Sequence, residues 1–484
     1  MAVGDIIEEA RLAARAAADY GSNLLNPTLR LGVTGLSRSG KTVFITALIH
    51  ALLHGTRLPV FEALTSGRIA RVRLSPQPDA SVPRFDYETH LRDLTKARRW
   101  PESTRQISEL RLLIEYQSKN GRERTLTLDI VDYPGEWLLD LLLLDKSYEE
   151  WSAQSLALSR EGPRAALAAA WHAHLATLSP ASPADEQAAI KAAKLFTDYL
   201  IACRDERFAM SLLPPGRFLM PGDLAGSPAV TFAPLDVQSG ESAPRGSLWE
   251  MMASRYEAYR NSVVRPFFRE HFARLDRQIV LADVLSALNS GPEALRDLEQ
   301  TLAAVVACFN TGRKTWLSAI FRPRIDRVLF AATKADHLHH TGHDRLEAIL
   351  SRMVADAIGG AALTGARTDV VALASVRATR EAVVTRDGEK LSAIVGTPQA
   401  GEIAGGETFD GSREIALFPG ELPMPGDGND WTFKGLAAAP HDESDYRFVK
   451  FRPPLLDSAS GGTPSLPHIR LDRALQFLAG DYLE

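Results

Sequence analysis

The sequence has few cysteines, little net charge and no long hydrophobic run. Its 484 residues include two cysteines, Cys203 and Cys308, and neither lies in a CxxC pair or another metal-binding spacing, so a reducing compartment is expected. The net charge of −5 is too small, and of the wrong sign, for nonspecific binding to nucleic acid. The composition is otherwise that of an ordinary globular protein, 45% hydrophobic and 24% charged, and the length allows about two to four domains.

The chain also lacks the roughly 18 consecutive apolar residues that a membrane span needs, which predicts a cytoplasmic protein with no span of its own. A signal peptide is not expected, because Asp5, Glu8 and Glu9 come early and no apolar stretch follows. Residues 1–27 instead contain an amphipathic helix pattern. We interpret this helix as packed on the body of the protein, and the alternative is a docking helix for a partner or a membrane surface.

A phosphate-binding loop stands between a short alternating strand, residues 29–34, and an apolar helix that begins at 41. The sequence between them, GLSRSGKT at 35–42, matches G-x-x-x-x-G-K-[ST]. In such a loop the glycines let backbone N–H groups approach the phosphates, the lysine neutralises their charge, and the threonine hydroxyl ligates Mg²⁺. The sequence therefore predicts a nucleotide site with Mg²⁺ at Gly35, Ser37, Arg38, Ser39, Gly40, Lys41 and Thr42.

A second apolar strand, residues 125–131, ends at Asp132-Tyr133-Pro134-Gly135. A carboxylate at this point can hold the Mg²⁺ hydration shell from the side opposite Thr42, and the Gly135 amide can sense a γ-phosphate. D-x-x-G alone usually marks a turn. Its place after an apolar strand in a chain with a P-loop favours the nucleotide role.

An antiparallel hairpin is predicted over residues 109–131, with Asn120-Gly121 as its turn. In small GTPases a hairpin of this kind lies between the switch I threonine and D-x-x-G. Thr104 occupies that position and is the candidate switch ligand, with Ser103 as the fallback. The alternative is an ordinary capping threonine.

Two residues are candidates for the hydrolysis step, beside Lys41 and Thr104. Glu136 stands where many GTPases carry a water-orienting glutamine, although its charge also repels a γ-phosphate and an ion pair is the alternative. Arg38 is the candidate for the charge-stabilising arginine. Its competitors are a group supplied by a partner and the flanking Arg98, Arg99 and Arg105.

The residues after a later strand, 327–332, resemble the [NT]KxD base-recognition motif of GTPases: Thr333-Lys334-Ala335-Asp336. Asp336 can accept hydrogen bonds from guanine N1–H and the 2-amino group, which adenine cannot match. The stem of Lys334 can cover one face of the base. A last strand, 369–374, leads to Ser375, where a GTPase places a backbone amide on guanine O6. The alternative is that this sequence is only a strand-end turn.

Four histidines follow: His337, His339, His340 and His343. Histidine clusters can bind transition metals, but there is no partner cysteine and no fixed helical register. We interpret them as capping the next helix or packing near the base.

The order of elements predicts an α/β fold in five parts. After a strand over 277–284, a helix is predicted over 292–309. Because that strand, the one expected after the switch II sequence D-x-x-G, begins only near 277, the preceding stretch is predicted to be a large, mainly helical insertion, with helices near 147–178, 184–206 and 248–274 and a Pro/Gly-rich loop from Pro214 to Gly246. Since it leaves directly from switch II, we hypothesise that nucleotide state moves it. The predicted parts are the N-terminal helix 1–27, the core 28–139, the insertion 140–275, the core 276–380, and 381–484 with a hairpin, a Gly/Pro-rich segment and a closing helix.

Taken together, the sequence resembles the YcjX-like family of bacterial P-loop NTPases over nearly the whole chain. The stretches that carry the resemblance are GLSRSGKTVFITALIHALL, RWPESTRQISELRL, DYPGEWLLDLLLLDKSYEEWS, PPGRFLMPGDLAG, ATKADH and PHIRLDRAL. The resemblance implies a Ras-like GTPase core with a helical insertion, GTP binding, and a role in envelope stress. It also implies a membrane-protein partner of the YcjF type, and so association with the inner membrane through that partner.

The resemblance supports residues 35–42, Asp132, Gly135 and Asp336 as nucleotide-site positions. Glu136, and Ser37 and Arg38 where small GTPases often have glycines, are departures. The expected function is a regulatory GTPase that binds guanine nucleotide and hydrolyses GTP with Mg²⁺. The alternatives are an ATPase or phosphotransferase, and a nucleotide-gated scaffold with little hydrolysis.

Overall fold

A central sheet organises the structure, a computed structural model that describes residues 26–36, 38–55, 57–77, 79–102, 104, 106–237, 242–309, 325–360, 366–386, 389–404, 406–422, 448–456 and 464–484. The predicted N-terminal helix lies outside these ranges, as do Ser37, Ser103 and Arg105. Among the described helices, none is both long and apolar enough to cross a membrane.

Seven strands form this sheet in the order β2-β3-β4-β1-β5-β6-β7. The strands β4, β1, β5, β6 and β7 run parallel, and β2 and β3 are antiparallel additions at one edge. Because β1 pairs with a later strand on each side, the carboxyl ends around it open a crevice, which is where open α/β sheets bind ligands. The bounds are β1 Thr28–Gly35, β2 Ile69–Ser75, β3 Ser108–Gln117, β4 Glu123–Asp132, β5 Arg277–Ala282, β6 Arg327–Ala332 and β7 Arg367–Ala372.

The predicted core strands and the 109–131 hairpin are confirmed, and one strand was missed. The missed strand is β2, at the sheet edge, where only β3 pairs with it. Its register with β3 shifts between Ile69 and Arg71, so the alternation of apolar side chains that would reveal a strand is broken.

Helices cover both faces of the sheet. On one face, α1 and the C-terminal helix α15 share a hydrophobic core with the strands, and this core includes Leu31, Phe44, Leu329 and Leu475. The helices of the described residues are α1 Lys41–His54, α2 Glu62–Thr65, α3 Tyr87–Arg92, α4 Glu136–Leu139, α5 Tyr148–Leu158, α6 Arg164–Leu167, α7 Ala169–Leu175, α8 Glu186–Cys203, α9 Gly216–Leu219, α10 Leu248–Tyr259, α11 Arg265–Glu270, α12 Val284–Ser290, α13 Pro292–Cys308, α14 His343–Gly360 and α15 Leu471–Ala479.

The segment between β4 and β5 holds α4 to α11, joined by turns and irregular stretches, and the described part of the predicted loop from Pro214 to Gly246 contains the short helix α9 and two turns of 3-10 helix. The long helix expected over 147–178 is three shorter ones, α5 to α7. Its aromatic residues, among them Trp151 and Tyr256, belong to the same hydrophobic cluster as Val280 and Phe330 of the sheet. This segment therefore packs directly on the second face of the sheet, and the predicted domain boundaries at 140 and 275 stay a prediction.

The C-terminal part adds short strands beside the core. A three-stranded antiparallel sheet contains β8 Arg380–Arg386, β9 Glu389–Gly396 and β12 Ile415–Leu417, which confirms the predicted hairpin strands, whose turn at 387–388 lies outside the described residues. The strands β10 Ile403–Ala404 and β11 Glu407–Thr408 form a small pair. The residues around Phe451 return to this region, where Pro398 and Phe451 form an isolated β-bridge.

Candidate nucleotide site

A cleft of about 320 Å³ opens at the carboxyl ends of the parallel strands. It is large enough for a small-molecule ligand. The P-loop lines one side and the Thr333–Asp336 sequence lines another, so residues about 300 positions apart in the chain face one space. Of the predicted P-loop residues, the cleft is lined by Gly35, Arg38, Ser39, Gly40, Lys41 and Thr42, while Ser37 lies outside the described residues.

The backbone of the P-loop is arranged for an anion. Gly40 has φ 82° and precedes α1, whose N-terminus has no side-chain cap and no acidic residue in its first turn. The helix N–H groups and dipole are therefore available to a phosphate. Arg38 also adopts a left-handed conformation, with φ 62°, which glycine would adopt at less cost. This explains why small GTPases can place glycine at that position.

Oxygen and cationic groups converge at the phosphate end of the cleft. The Lys41 ammonium forms an ion pair with the Asp132 carboxylate, and both side chains are buried. The Thr104 hydroxyl donates to Asp132 Oδ2 at 2.8 Å and lies 3.4 Å from the Thr42 hydroxyl. The predicted switch threonine, Mg²⁺ threonine and D-x-x-G aspartate are thus brought together around the P-loop lysine.

These residues fit a triphosphate with Mg²⁺. The cluster offers one carboxylate and two hydroxyls, the hard oxygen donors that Mg²⁺ prefers. The buried Ser39 hydroxyl has no hydrogen-bond partner among the described residues, so it has a donor to spare for a phosphate oxygen. Asp132 and the hydroxyls of Thr42 and Thr104 would hold the metal, and Lys41 would turn to the phosphates.

Gly135 of the D-x-x-G sequence packs closely against the P-loop backbone. A Cβ atom at Gly135 would lie 2.0 Å from the Gly35 carbonyl oxygen, so only glycine allows this approach. Glu136 follows at the start of α4 and lines the same cleft. Its carboxylate lies 3.6 Å from the guanidinium of Arg204, a residue that the sequence did not single out.

Asp336 is almost completely buried at the end of the cleft that Thr333–Asp336 line, which we call the base end after its predicted role. Its Oδ2 accepts a hydrogen bond from the Ala378 amide at 2.8 Å, and this contact fixes the carboxylate. Lys334 has φ 61°, and its ammonium pairs with Asp283, which caps α12. Ser375, after β7, also lines the cleft. All the residues predicted for base recognition therefore meet at one end.

Known proteins are similar in sequence to this chain over almost its full length. The model of the YcjX-like family, DUF463, matches residues 29–483. A protein of Escherichia coli (strain K12) named Ras-like GTPase YcjX is 40% identical over 473 aligned residues, which cover 94% of this chain and 96% of that protein. A protein of the same name from Shewanella oneidensis (strain MR-1) is 35% identical over 487 aligned residues, covering 94% of this chain and 95% of its own length.

The chain belongs to the YcjX-like family. The resemblance seen in the sequence is thereby confirmed, and the mixed α/β architecture with its mainly parallel sheet is compatible with a P-loop core.

One wall of the cleft in this YcjX-like chain comes from residues that the sequence analysis missed. The ring of Phe451 lies edge-on to His337, with the ring centroids 5.4 Å apart. The Trp100 indole N–H donates to the Phe451 carbonyl at 2.6 Å, and Gln399 also lines this wall. Since these residues are distant in sequence and form no local motif, only the tertiary structure reveals them.

Ion pairs connect the P-loop to the end of α8 and to the C-terminal wall. The Arg38 guanidinium lies 2.9 Å from Glu206, and the Lys450 ammonium lies 2.6 Å from the same carboxylate. Burial lowers the pKa of the Arg38 guanidinium, and the nearby charge of Arg204 lowers it further. Burial likewise lowers the pKa of Lys450, and the charges of Lys334 and Arg38 add to that effect while Glu402 opposes it. Because these cations crowd one cleft, an anionic ligand would relieve their repulsion.

The other candidate arginines of this chain turn elsewhere. The Arg98 guanidinium donates to the Pro453 carbonyl, and Arg99 pairs with Asp93 at 2.7 Å. Neither is among the described residues that line the cleft. Arg105 lies outside the described residues. Within the described part of the chain, Arg38 and Arg204 are therefore the arginines that line the cleft.

The four histidines have separate environments. His337 is in the cleft, and burial lowers its pKa, so its ring is held neutral. His343 begins α14. His339 and His340 lie near Glu381, and these three are the one group among the described residues that could hold a transition metal. His339 Nδ1, however, lies within hydrogen-bonding reach of Thr341, and His340 Nδ1 lies 2.7 Å from Glu381, so both rings already have structural partners.

Proposed function

We propose that this chain is a guanine-nucleotide-binding regulatory protein that hydrolyses GTP with Mg²⁺. The observation that carries the proposal is the position of Asp336, which lies in the same cleft as the P-loop with one carboxylate oxygen held by the Ala378 amide. A carboxylate fixed in this way can accept from the N1–H and 2-amino donors of guanine. Adenine offers no matching donors. Its binding would leave the buried carboxylate without hydrogen bonds from the base, and this would lower the affinity for adenine nucleotides. The names of the two relatives, each a Ras-like GTPase, support this assignment.

At the phosphate end, the P-loop N–H groups and Lys41 would bind the β- and γ-phosphates. The Lys41–Asp132 ion pair would open when nucleotide binds, because the ammonium would then meet phosphate oxygens. Mg²⁺ bound at these residues would supply positive charge that offsets the negative charge developing on the phosphates. Asp132, Thr42 and Thr104 hold the oxygen ligands in place for it.

In the hydrolysis step, water attacks the γ-phosphorus and the bond to the β-phosphate oxygen breaks, giving GDP and phosphate. Glu136 lies beside the proposed γ-phosphate position and can orient the attacking water through its carboxylate. Its pairing with Arg204 lowers the repulsion that a lone carboxylate would exert on the phosphate. The intrinsic rate should be slow, because a carboxylate near a triphosphate is a poorer choice than an amide.

The first experiment is calorimetry with Mg²⁺ and GDP, a GTP analogue or an ATP analogue, on the wild type and on Asp336→Ala. A guanine preference of tenfold or more that is lost in the variant supports the proposal. Equal affinities that the substitution leaves unchanged would mean that Thr333–Asp336 is only a strand-end turn and would favour an ATPase or a phosphotransferase.

A second variant separates recognition from folding. Asp336→Asn keeps an oxygen that can accept from the Ala378 amide. Its NH₂ group can donate to the C2 carbonyl of a xanthine nucleotide, whereas a carboxylate would repel that carbonyl. A shift in preference from guanine towards xanthine nucleotides would show that this side chain contacts the base. Unchanged guanine affinity in a folded Asp336→Asn protein would contradict a contact between this side chain and the base.

The same proposal includes the membrane-protein partner of the YcjF type and the role in envelope stress that the family resemblance implies. If the protein is a nucleotide-controlled switch, its affinity for that partner should differ between the GDP and GTP-analogue states. The measurement is co-purification of the full chain with the partner in each nucleotide state. Equal binding in both states would favour the nucleotide-independent scaffold.

A further inference from the structure

Arg204 connects the helical segment to the phosphate end of the cleft. It is the first residue after α8 and is the C-cap of that helix, so its backbone is held by the end of a five-turn element. Although it belongs to the helical segment, its side chain lines the cleft together with the P-loop and Gly135. The segment between β4 and β5 therefore contributes this guanidinium to the nucleotide site.

The contact of Arg204 places it at the γ-phosphate end rather than the base end. The guanidinium lies 3.6 Å from a carboxylate oxygen of Glu136. Glu136 directly follows Gly135, and Gly135 in turn lies against the Gly35 carbonyl of the P-loop. The base-recognition side chain Asp336 is contributed by the far side of the sheet, after β6.

Arg204 suits charge stabilisation better than Arg38, the candidate from the sequence. The Arg38 side chain is 45% exposed and its partner Glu206 is 53% exposed. For Arg204 and Glu136 these fractions are 21% and 11%. Because a charge acts more strongly where water is excluded, the less exposed guanidinium contributes more to a developing negative charge. The ion pair of Arg38 with Glu206 is also the closer one, at 2.9 Å against 3.6 Å for Arg204 and Glu136.

We propose that Arg204 is an arginine supplied in cis by the helical segment, which stabilises the transferring phosphoryl group during GTP hydrolysis. The proposal rests on the proposed GTPase function. As water bonds to the γ-phosphorus and the bond to the β-phosphate oxygen breaks, the electron pair of that bond passes to the β-phosphate oxygen, and the protons of the water stay with the phosphate product. The Arg204 guanidinium leaves Glu136 and donates hydrogen bonds to the oxygens that gain this charge, and it stays protonated throughout.

One consequence concerns regulation. Since the guanidinium is carried at the end of α8, a displacement of the helical segment would remove it from the site. A partner that binds this segment could then set the hydrolysis rate without contacting the nucleotide. The arrangement makes an arginine from another protein unnecessary for turnover.

The test compares Arg204→Ala, Arg204→Lys and Arg207→Ala. Arg207 is the matched control because it lies in the same turn, is 81% exposed and pairs with Asp205 outside the cleft. Two readouts are taken on the full-length protein with Mg²⁺: the single-turnover rate of GTP hydrolysis, and the gain in GDP affinity caused by aluminium fluoride, which mimics the planar phosphoryl group.

We expect Arg204→Ala to lower the hydrolysis rate by about 10³-fold and to abolish the aluminium fluoride effect, with GDP affinity changed less than about threefold. Arg204→Lys should recover part of the rate, because it keeps the charge but loses the planar fork. Arg207→Ala should behave as the wild type. Unchanged GDP affinity shows in the same experiment that the variants are folded.

Hydrolysis and an aluminium fluoride effect that survive in Arg204→Ala would overturn the inference and leave the proposed GTPase intact. Wild-type protein that binds GDP but gains nothing from aluminium fluoride would also overturn it. Absence of guanine nucleotide binding in the wild type is a different result, because it refutes the proposed function itself.

Discussion

Lys41 and Asp132, 91 positions apart in the chain, form a buried ion pair in the phosphate end of the cleft. The pair joins the first residue of α1 to the last residue of β4. Each charge is therefore neutralised by the other. A bound triphosphate with a cation would take over both roles, because the phosphates attract Lys41 and the cation attracts Asp132.

The first prediction concerns the contribution of this ion pair to stability. Lys41→Met leaves the Asp132 carboxylate buried without its partner, so the free energy of unfolding should fall by about 3–5 kcal/mol. The double variant Lys41→Met/Asp132→Asn removes both charges and should recover much of that loss. Chemical unfolding without nucleotide measures it. If the stability changes of Lys41→Met and Asp132→Asn, each measured alone, add up to that of the double variant, the ion pair contributes nothing to the stability of the protein.

A second prediction concerns the contact between α9 and α4. A Cβ at Gly216 would lie 2.3 Å from the Glu136 carbonyl oxygen and 2.9 Å from the Trp137 nitrogen, both backbone atoms that cannot rotate away. Gly216→Ala should therefore destabilise the fold by about 1–3 kcal/mol. In Gly342→Ala, the control, the new Cβ would meet its nearest neighbour at 3.6 Å. Equal melting temperatures of the two variants would show that α9 does not press on the start of α4.

The third prediction tests how the helical segment is held on the core. Arg164 of α6 and Asp297 of α13 form a buried ion pair at 2.5 Å, and Asp297 also accepts from the amides of Ser211 and Leu212. Arg164→Met should lower the free energy of unfolding by about 3–5 kcal/mol, because it strands a buried carboxylate. Urea unfolding measures the change.

The matched control for that prediction is the exposed pair of Lys194 and Asp198, one turn apart on α8. Lys194→Met should cost no more than about 0.5 kcal/mol, since an exposed pair of this spacing gains little. An equal loss of free energy of unfolding in Arg164→Met and Lys194→Met would mean that the buried pair of Arg164 and Asp297 stabilises the fold no more than an exposed pair does.

A fourth prediction concerns pH. Asp140 is fully buried, and burial raises its pKa from 3.8 to about 6, although hydrogen bonds from Tyr259 and Gly216 oppose the shift. The folded state therefore holds this proton more tightly than the unfolded state, and the free energy of unfolding falls as pH rises between about 4 and about 6. Above that range the penalty is complete and constant.

Asp140→Asn removes this penalty. Relative to the wild type, the variant should gain about 2 kcal/mol in free energy of unfolding between pH 4.5 and pH 7.5, as measured by urea titrations at both values. Tyr259→Phe should instead enlarge the pH dependence, because the lost hydrogen bond favoured the charged carboxylate. A constant difference between Asp140→Asn and the wild type at the two pH values would contradict the shifted pKa.

The elements that could be read from the sequence are those whose local pattern decides their structure. Strands β1 and β6 are short apolar runs that end at motif residues, and the helix α13 has apolar side chains at helical spacing. The structure confirms them within one or two residues. The strand β2 was missed because its bulge disrupts alternation, and the helices α5 to α7 were merged because their breaks carry no strong turn signal.

The residues of the candidate site also differ in whether the sequence alone could reveal them. Lys41, Thr42, Asp132 and Asp336 belong to sequence motifs whose spacing reflects a strand that ends in a loop, so they could be assigned from the sequence. Arg204, Lys450 and Phe451 lie in no motif, and their presence in the cleft follows from how distant segments pack. For Glu136, the sequence left a catalytic role and an ion pair open, and the structure shows the ion pair with Arg204.

The sequence by itself determined that this chain carries a P-loop, a D-x-x-G sequence and the sequence Thr333-Lys334-Ala335-Asp336, each at the end of an apolar strand. It could do so because backbone conformation over a few residues depends on local chemistry: glycine where φ is positive and apolar side chains where a strand is buried. Only the tertiary structure decided that Arg204 lines the same cleft as the P-loop and that Lys450 and Phe451 line it too. Those contacts depend on the packing of α8 and of the segment around Phe451 against the sheet, and burial summed over many distant residues sets that packing.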